Sequence, residues 1–283
     1  MRHRGLDGRL EGSVELSRPL VLRAPSALLS FVGKTLTIAE LELRKLRHDQ
    51  TELLTRAVQP ALWLVVFGQV MSQIRAIPTG DLRYLDFMAP GILAQSVLFI
   101  AIFYGIAIIW ERDLGIVHKF LVTPTPRGAL VLGKALSAGV RAMSQLILVY
   151  VLSILLGVGF NWNPLALIAV VIVVLLGAAL FSTLSLSIAT IVKTRERFMG
   201  IGQVITMPLF FASNAIYPIA MMPYWLQWIS WANPLSYEVD ALRALMLNGG
   251  TSTFGLPLDF SVLIVTVAVL TAVASRLYPR VVV

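Results

Sequence analysis

Long apolar stretches interrupted by short charged clusters set the reading of this chain. From Phe87 to Trp110 there are 24 residues without a charge, and no Asp, Glu, Lys or Arg occurs between Arg141 and Lys193 or between Arg197 and Glu238. A helix needs about 20 apolar residues to cross a bilayer, so each gap accommodates one spanning element or more. The pattern predicts six spans, at 57–75, 87–110, 135–159, 164–191, 198–217 and 259–277. Before the first of them, Leu36, Ala39, Leu43, Leu46, Leu53 and Ala57 recur at helical spacings, and Glu40, Arg44, Lys45, Arg47, Asp49 and Glu52 fill the other positions. This periodicity predicts an amphipathic helix over 34–56, lying in the membrane interface. The expected organisation is a cytoplasmic tail (1–33), the interfacial helix (34–56), a six-span domain (57–277) and a cytoplasmic C-terminal tail (278–283). The fold class is all-α and polytopic.

Composition agrees. The chain has 283 residues, of which 57% are hydrophobic and 13% charged, and its mean hydropathy is +0.81. A soluble domain carries about 25% charged residues, so this chain lacks half of the usual polar coat. The formal charge of +8 follows from the rule that cytoplasmic loops are basic, and no basic stripe interleaved with aromatics points to nucleic acid. Nineteen of the 23 Lys and Arg fall in the segments expected inside, three in those expected outside, and Arg141 within the third span. Both termini are therefore expected in the cytoplasm, and residues 218–258 outside. There is no Cys, which excludes disulfides and thiolate metal sites. His3, His48 and His118 are scattered and form no metal-ligand cluster.

Two segments stand out chemically. The loop after the second span reads Glu111-Arg112-Asp113-Leu114-Gly115, continues through His118-Lys119-Phe120-Leu121, and closes on Thr123-Pro124-Thr125-Pro126. Ile116, Phe120 and Leu121 suit a short helix seated in a partner's cleft, ended by the prolines; a plain solvated loop is the alternative. The second segment follows the fifth span. It carries Trp225, Trp228 and Trp231 at three-residue spacing and then Asn233-Pro234-Leu235-Ser236-Tyr237-Glu238-Val239-Asp240-Ala241-Leu242-Arg243. Its prolines and tryptophans predict short re-entrant or interfacial helices, with an anchoring aromatic belt as the simpler alternative.

Glu111-Arg112, Gly115 and Leu121-Val122-Thr123-Pro124, together with Asn233-Pro234-Leu235, Tyr237, Asp240 and Arg243, resemble the ABC transporter permeases of the type-2 exporter class. Among these the chain is similar to the daunorubicin-resistance and Nod-factor export permeases, over nearly its whole length. The resemblance implies that residues 111–124 form a coupling helix docked on a separate ATPase subunit, with Glu111, Arg112, Gly115, Lys119, Phe120, Leu121, Thr123 and Pro124 as its contact residues. It implies two ATPase copies that bind ATP and magnesium, a second copy of this chain or a related permease, and a bacterial-type cytoplasmic (inner) membrane. No cofactor is expected in this chain. The first, second and fifth spans would line the pathway of a lipophilic or amphipathic substrate, with Phe99, Phe103, Phe210, Phe211 and Asn214 as candidate contacts; core packing explains these residues equally well. Asn233, Pro234, Tyr237, Asp240 and Arg243 form the outer motif.

Gly128-Ala129-Leu130-Val131-Leu132-Gly133-Lys134-Ala135 imitates a phosphate-binding loop, but Ala135 has no hydroxyl for magnesium and no strand precedes it. Lys134 is expected instead to anchor the third span at the headgroups. Arg141 is either a functional intramembrane charge or a side chain that snorkels to the same surface. Two other function classes make demands on the spans. An ion-coupled secondary transporter needs titratable groups at mid-membrane, and the mid-span positions hold none. An intramembrane enzyme needs paired Asp, Ser/His or His/Glu sets there, and no span contains His or Cys.

Overall fold

A computed structural model describes residues 50–74, 77–80, 82–114, 127–192 and 194–278, together with Gly33 and Glu40. The described helices are α1 (Gln50–Ala61), a π-helical segment (Leu62–Gly68) continued by α2 (Gln69–Ile74), α3 (Tyr84–Phe103), α4 (Gly105–Asp113), α5 (Arg127–Leu155), α6 (Pro164–Ile191), α7 (Arg195–Phe211), α8 (Tyr224–Ala232), α9 (Pro234–Met246) and α10 (Leu256–Leu277). Among the described residues there is no strand, only an isolated bridge between Phe160 and Leu247. The chain is an all-α polytopic membrane protein. Most of the interfacial helix expected over 34–56 lies outside the described residues; its last part, from Gln50, runs on into the first span without a break.

Among the described residues, five helical stretches are long and apolar enough to cross a membrane: Ala57–Ile74, Tyr84–Asp113, Leu130–Leu155, Pro164–Ile191 and Leu256–Leu277. The fifth expected span, 198–217, corresponds to α7, which has 17 residues, contains Pro208 and gives way to turns after Phe211. Six full spans are therefore not seen. The apolar run 198–217 divides instead into a helix and a non-helical stretch that turns back at Pro218.

Local sequence explains several boundaries. Asn163 caps α6 by accepting a hydrogen bond from the Leu165 amide, with Pro164 in the first turn, where a missing N–H is harmless. Asn233 and Pro234 start α9 in the same way. The second apolar stretch is interrupted at Tyr104, between α3 and α4, where the Ser185 hydroxyl donates to the Ile102 carbonyl. Gly105 permits this approach: a β-carbon there would collide with Ser185 and the Phe198 ring.

Helix α6 occupies the centre, packed against α5, α10, α3 and α9. The main core gathers Met88, Ile92, Leu98, Val173, Phe181, Phe210, Leu235 and Leu242, among others. Two smaller clusters lie at the end that carries Glu111, one around Ile108, Val131 and Tyr278 and one around Ile109 and Phe198. α9 does not lie on a surface. Gly177, midway along α6, faces the Glu238 carboxyl so closely that a β-carbon would overlap it. A short helix outside the spans thus carries a carboxyl about 20 Å along α6 from its Pro164 end, at 1.5 Å per residue.

Candidate functional site

The basic end of the bundle is organised around Glu111 and Arg112, which end α4. The Lys134 ammonium of α5 donates to both Glu111 carboxylate oxygens, at 2.5 and 2.6 Å. Both side chains are largely buried, Lys134 10% and Glu111 15% exposed. Tyr278 lies beside the pair; burial first, and the Glu111 carboxylate second, push its phenol up to about 12. One residue on, Arg112 pairs with Asp113 at 3.2 Å, and Asp113 also receives Arg195 from α7 at 3.0 Å. The Arg195 guanidinium lies 3.5 Å from the centre of the Trp110 ring. These contacts fasten the end of α4 to α5 and α7. Gly115, Lys119, Phe120, Leu121, Thr123 and Pro124, expected to contact an ATPase, lie outside the described residues; their flanks at Leu114 and Arg127 are in place.

Two positions gain partners here. α5 begins at Arg127, earlier than the span predicted from 135, so Lys134 falls inside the helix and pairs with Glu111. Arg141 stands about 21 Å along α5 from its start, and its guanidinium faces the Tyr104 ring at 5.3 Å, the same ring that the Lys134 ammonium approaches at 6.0 Å.

At the opposite end, the outer motif is a set of ties between chain segments. The Asn233 amide donates to the carbonyls of Leu209 and Ala212 at 2.7 and 3.3 Å, holding the end of α7 to the start of α9. The Tyr237 hydroxyl donates to the Trp231 carbonyl at 2.7 Å, and its ring packs on Phe254. Asp240 accepts from the Ser252 hydroxyl at 2.8 Å, the Phe254 amide at 3.0 Å and the Asn214 amide at 3.5 Å. Arg243, 6% exposed, donates to the carbonyl of Asn214 at 2.7 Å and of Phe87 at 3.3 Å, and lies 3.8 Å over the Phe87 ring. Nearby, the Arg83 guanidinium donates to both oxygens of Asp86, which raises it above its ordinary range. Pro234 contributes the fixed backbone of the first turn of α9.

The remaining candidate contacts separate. Phe99 and Phe103, their ring centres 6.1 Å apart, line a recess of about 190 Å³ with Gln59, Pro60, Ser96, Ile100 and Gln145. Gln59 also borders an open apolar groove of about 590 Å³ along the π-helical segment, which includes Leu62, Trp63, Val66 and Phe67. Phe210 is fully buried and meets Trp63 edge-on at 5.6 Å, while Phe211 stays 43% exposed. Asn214 is absorbed into the outer ties. Sequence reasoning missed Trp63, Arg195 and Glu238: nothing in the sequence pairs Arg195 with Asp113, and Glu238 is not among the residues of the outer motif. It is fully buried, and neither carboxyl oxygen has a hydrogen-bond partner.

The family profile described as ABC-2 type transporter matches residues 34–247. Over 275 residues the chain is 26% identical to the daunorubicin resistance ABC transporter permease protein DrrB1 of Streptomyces coeruleorubidus, covering 94% of this chain and 96% of that one. It is also 26% identical over 217 residues to the putative transport permease ycf38 of Cyanophora paradoxa (76% and 74% covered). Nodulation protein J of Rhizobium leguminosarum bv. trifolii is 26% identical over 198 residues, covering 69% of this chain and 74% of that protein.

Proposed function

The chain belongs to the ABC-2 type transporter family, and on that premise we propose that it is the permease subunit of an ATP-binding cassette exporter. It moves a lipophilic or amphipathic molecule, of drug, lipid or glycolipid type, out of the cytoplasm or the inner leaflet. Two ATPase subunits bind ATP and magnesium and dock on residues 111–124. Two permease chains, identical or related, face each other in a bacterial-type cytoplasmic membrane, with both termini in the cytoplasm. The drug-resistance names of relatives such as DrrB1 support this substrate class.

The observation that carries the reading is the anchorage of the 115–126 segment. Its leading flank is clamped to α5 through Glu111–Lys134 and to α7 through Asp113–Arg195. A push on the segment then moves three helices together, as coupling of ATP closure to a change of access requires. Phe99, Phe103 and Phe211 would meet the substrate, and Phe210 would support them through Trp63. An ion-coupled transporter is less well supported: Glu238 is a deep titratable group, but it is sealed from solvent.

Co-purification tests the proposal. Capture of a Walker-type ATPase by the chain, and its loss or uncoupling in Phe120→Ala, is the expected result, since truncating a docked aromatic costs a few kcal/mol at an interface. Substrate transport by the purified chain without any ATPase would overturn it.

A further inference from the structure

The recess beside Phe99 and Phe103 has a polar end. Gln145 of α5 is 2% exposed, and its amide oxygen has no hydrogen-bond partner. Burying an unpaired amide group is costly, so an empty recess leaves a penalty that a suitable guest removes. The other lining groups do not provide one. The Ser96 hydroxyl is turned to the Ile92 carbonyl at 2.8 Å, and Pro60 has no N–H. The volume, about 190 Å³, somewhat exceeds the roughly 150 Å³ cavity that takes up benzene, so one or two fused rings fit.

A further feature places the guest. Gln59 lines both the recess and the apolar groove of the π-helical segment, where Leu62 is 57% and Val66 54% exposed. π-Helical geometry inside an otherwise regular helix is frequent at functional positions.

We propose that Gln145 is the specificity-determining acceptor of a substrate subsite: the recess takes an aromatic or compact apolar ring bearing a neutral hydrogen-bond donor, a hydroxyl or amide N–H, while the rest of an amphipathic molecule lies along the groove. This rests on the exporter reading for its physiological meaning, but it is a binding property of this chain alone. The donor-bearing end enters past Gln59, the ring packs against Phe99 and Phe103, and the donor satisfies the Gln145 oxygen.

The test uses the full chain in lipid nanodiscs, without an ATPase, and two fluorescent probes: 2-naphthol and 2-methoxynaphthalene. Wild type is expected to bind 2-naphthol roughly tenfold more tightly than its methyl ether, about the worth of one hydrogen bond in a dry site. Gln145→Leu should bring the naphthol and its ether to equal affinity. Equal affinity of wild type for naphthol and ether overturns the proposal whether or not the variant folds. A preference that survives in folded Gln145→Leu does so too. If the preference is absent while an ATPase is still captured, the subsite is wrong and the exporter reading stands; if the preference holds while no ATPase binds, the reverse is true.

Discussion

Lys134 and Glu111, 23 positions apart in the chain, form a two-pronged ion pair with both side chains at most 15% exposed. Each charge is tolerated there because the other is present. Removing one partner of a buried pair strands the other and costs about 3–5 kcal/mol, whereas replacing both by apolar residues is close to neutral. Lys134→Met should therefore lower the thermal unfolding midpoint sharply in nanodiscs, and Glu111→Leu/Lys134→Met should recover most of the loss. If the double variant is no more stable than the single one, the pair does not have this role.

Gly91 of α3 lies against the backbone of Ala215, so close that a β-carbon would sit within 2.8 Å of its Cα and carbonyl carbon. Backbone cannot swing aside as a side-chain end can. Gly91→Ala is expected to cost at least the 1–3 kcal/mol typical of overpacking, read as reduced yield of folded protein and a lower midpoint. Gly200, with nothing nearby, supplies the control: Gly200→Ala should leave the midpoint unchanged or raise it, because alanine favours helix.

Arg243 joins Asn214 to Phe87 through two carbonyls and stacks on the Phe87 ring. Lysine has one compact ammonium and no plane to stack, so Arg243→Lys keeps the charge but not the geometry. A loss of about 2–3 kcal/mol is expected, with faster proteolysis in the 212–218 and 247–255 turns. Proteolysis at the wild-type rate would show that the charge alone suffices.

Thr251 is exposed in the turn between α9 and α10, and the chain contains no cysteine. In Thr251→Cys, an impermeant maleimide should label intact cells from outside. Labelling only after the cytoplasmic face is opened would invert the proposed topology.

Much of the architecture is legible along the chain because lipid imposes a one-dimensional rule. A charge-free run such as 164–191 has no stable alternative to a buried helix, and the caps Asn163 and Asn233 mark the starts of α6 and α9 by local hydrogen bonding. The run 198–217 is apolar enough to span, yet α7 ends at Phe211, and the Leu209 and Ala212 carbonyls at its end accept from Asn233, a residue supplied by a later segment.

What the sequence determined by itself, then, is the class: an all-α chain in a membrane, its basic segments and its family motifs, all set by composition and short-range periodicity. Only the tertiary structure decided which charges are paired, and where. Lys134 reads as an anchor until α4 brings Glu111 to it, Glu238 is one residue of the segment after the tryptophans until α9 sets it against Gly177, and Gln145 is one of several polar span residues until the recess leaves its oxygen without a partner. A side chain's charge and length are properties of the residue, but its solvent is a property of the neighbours that packing supplies from distant parts of the chain.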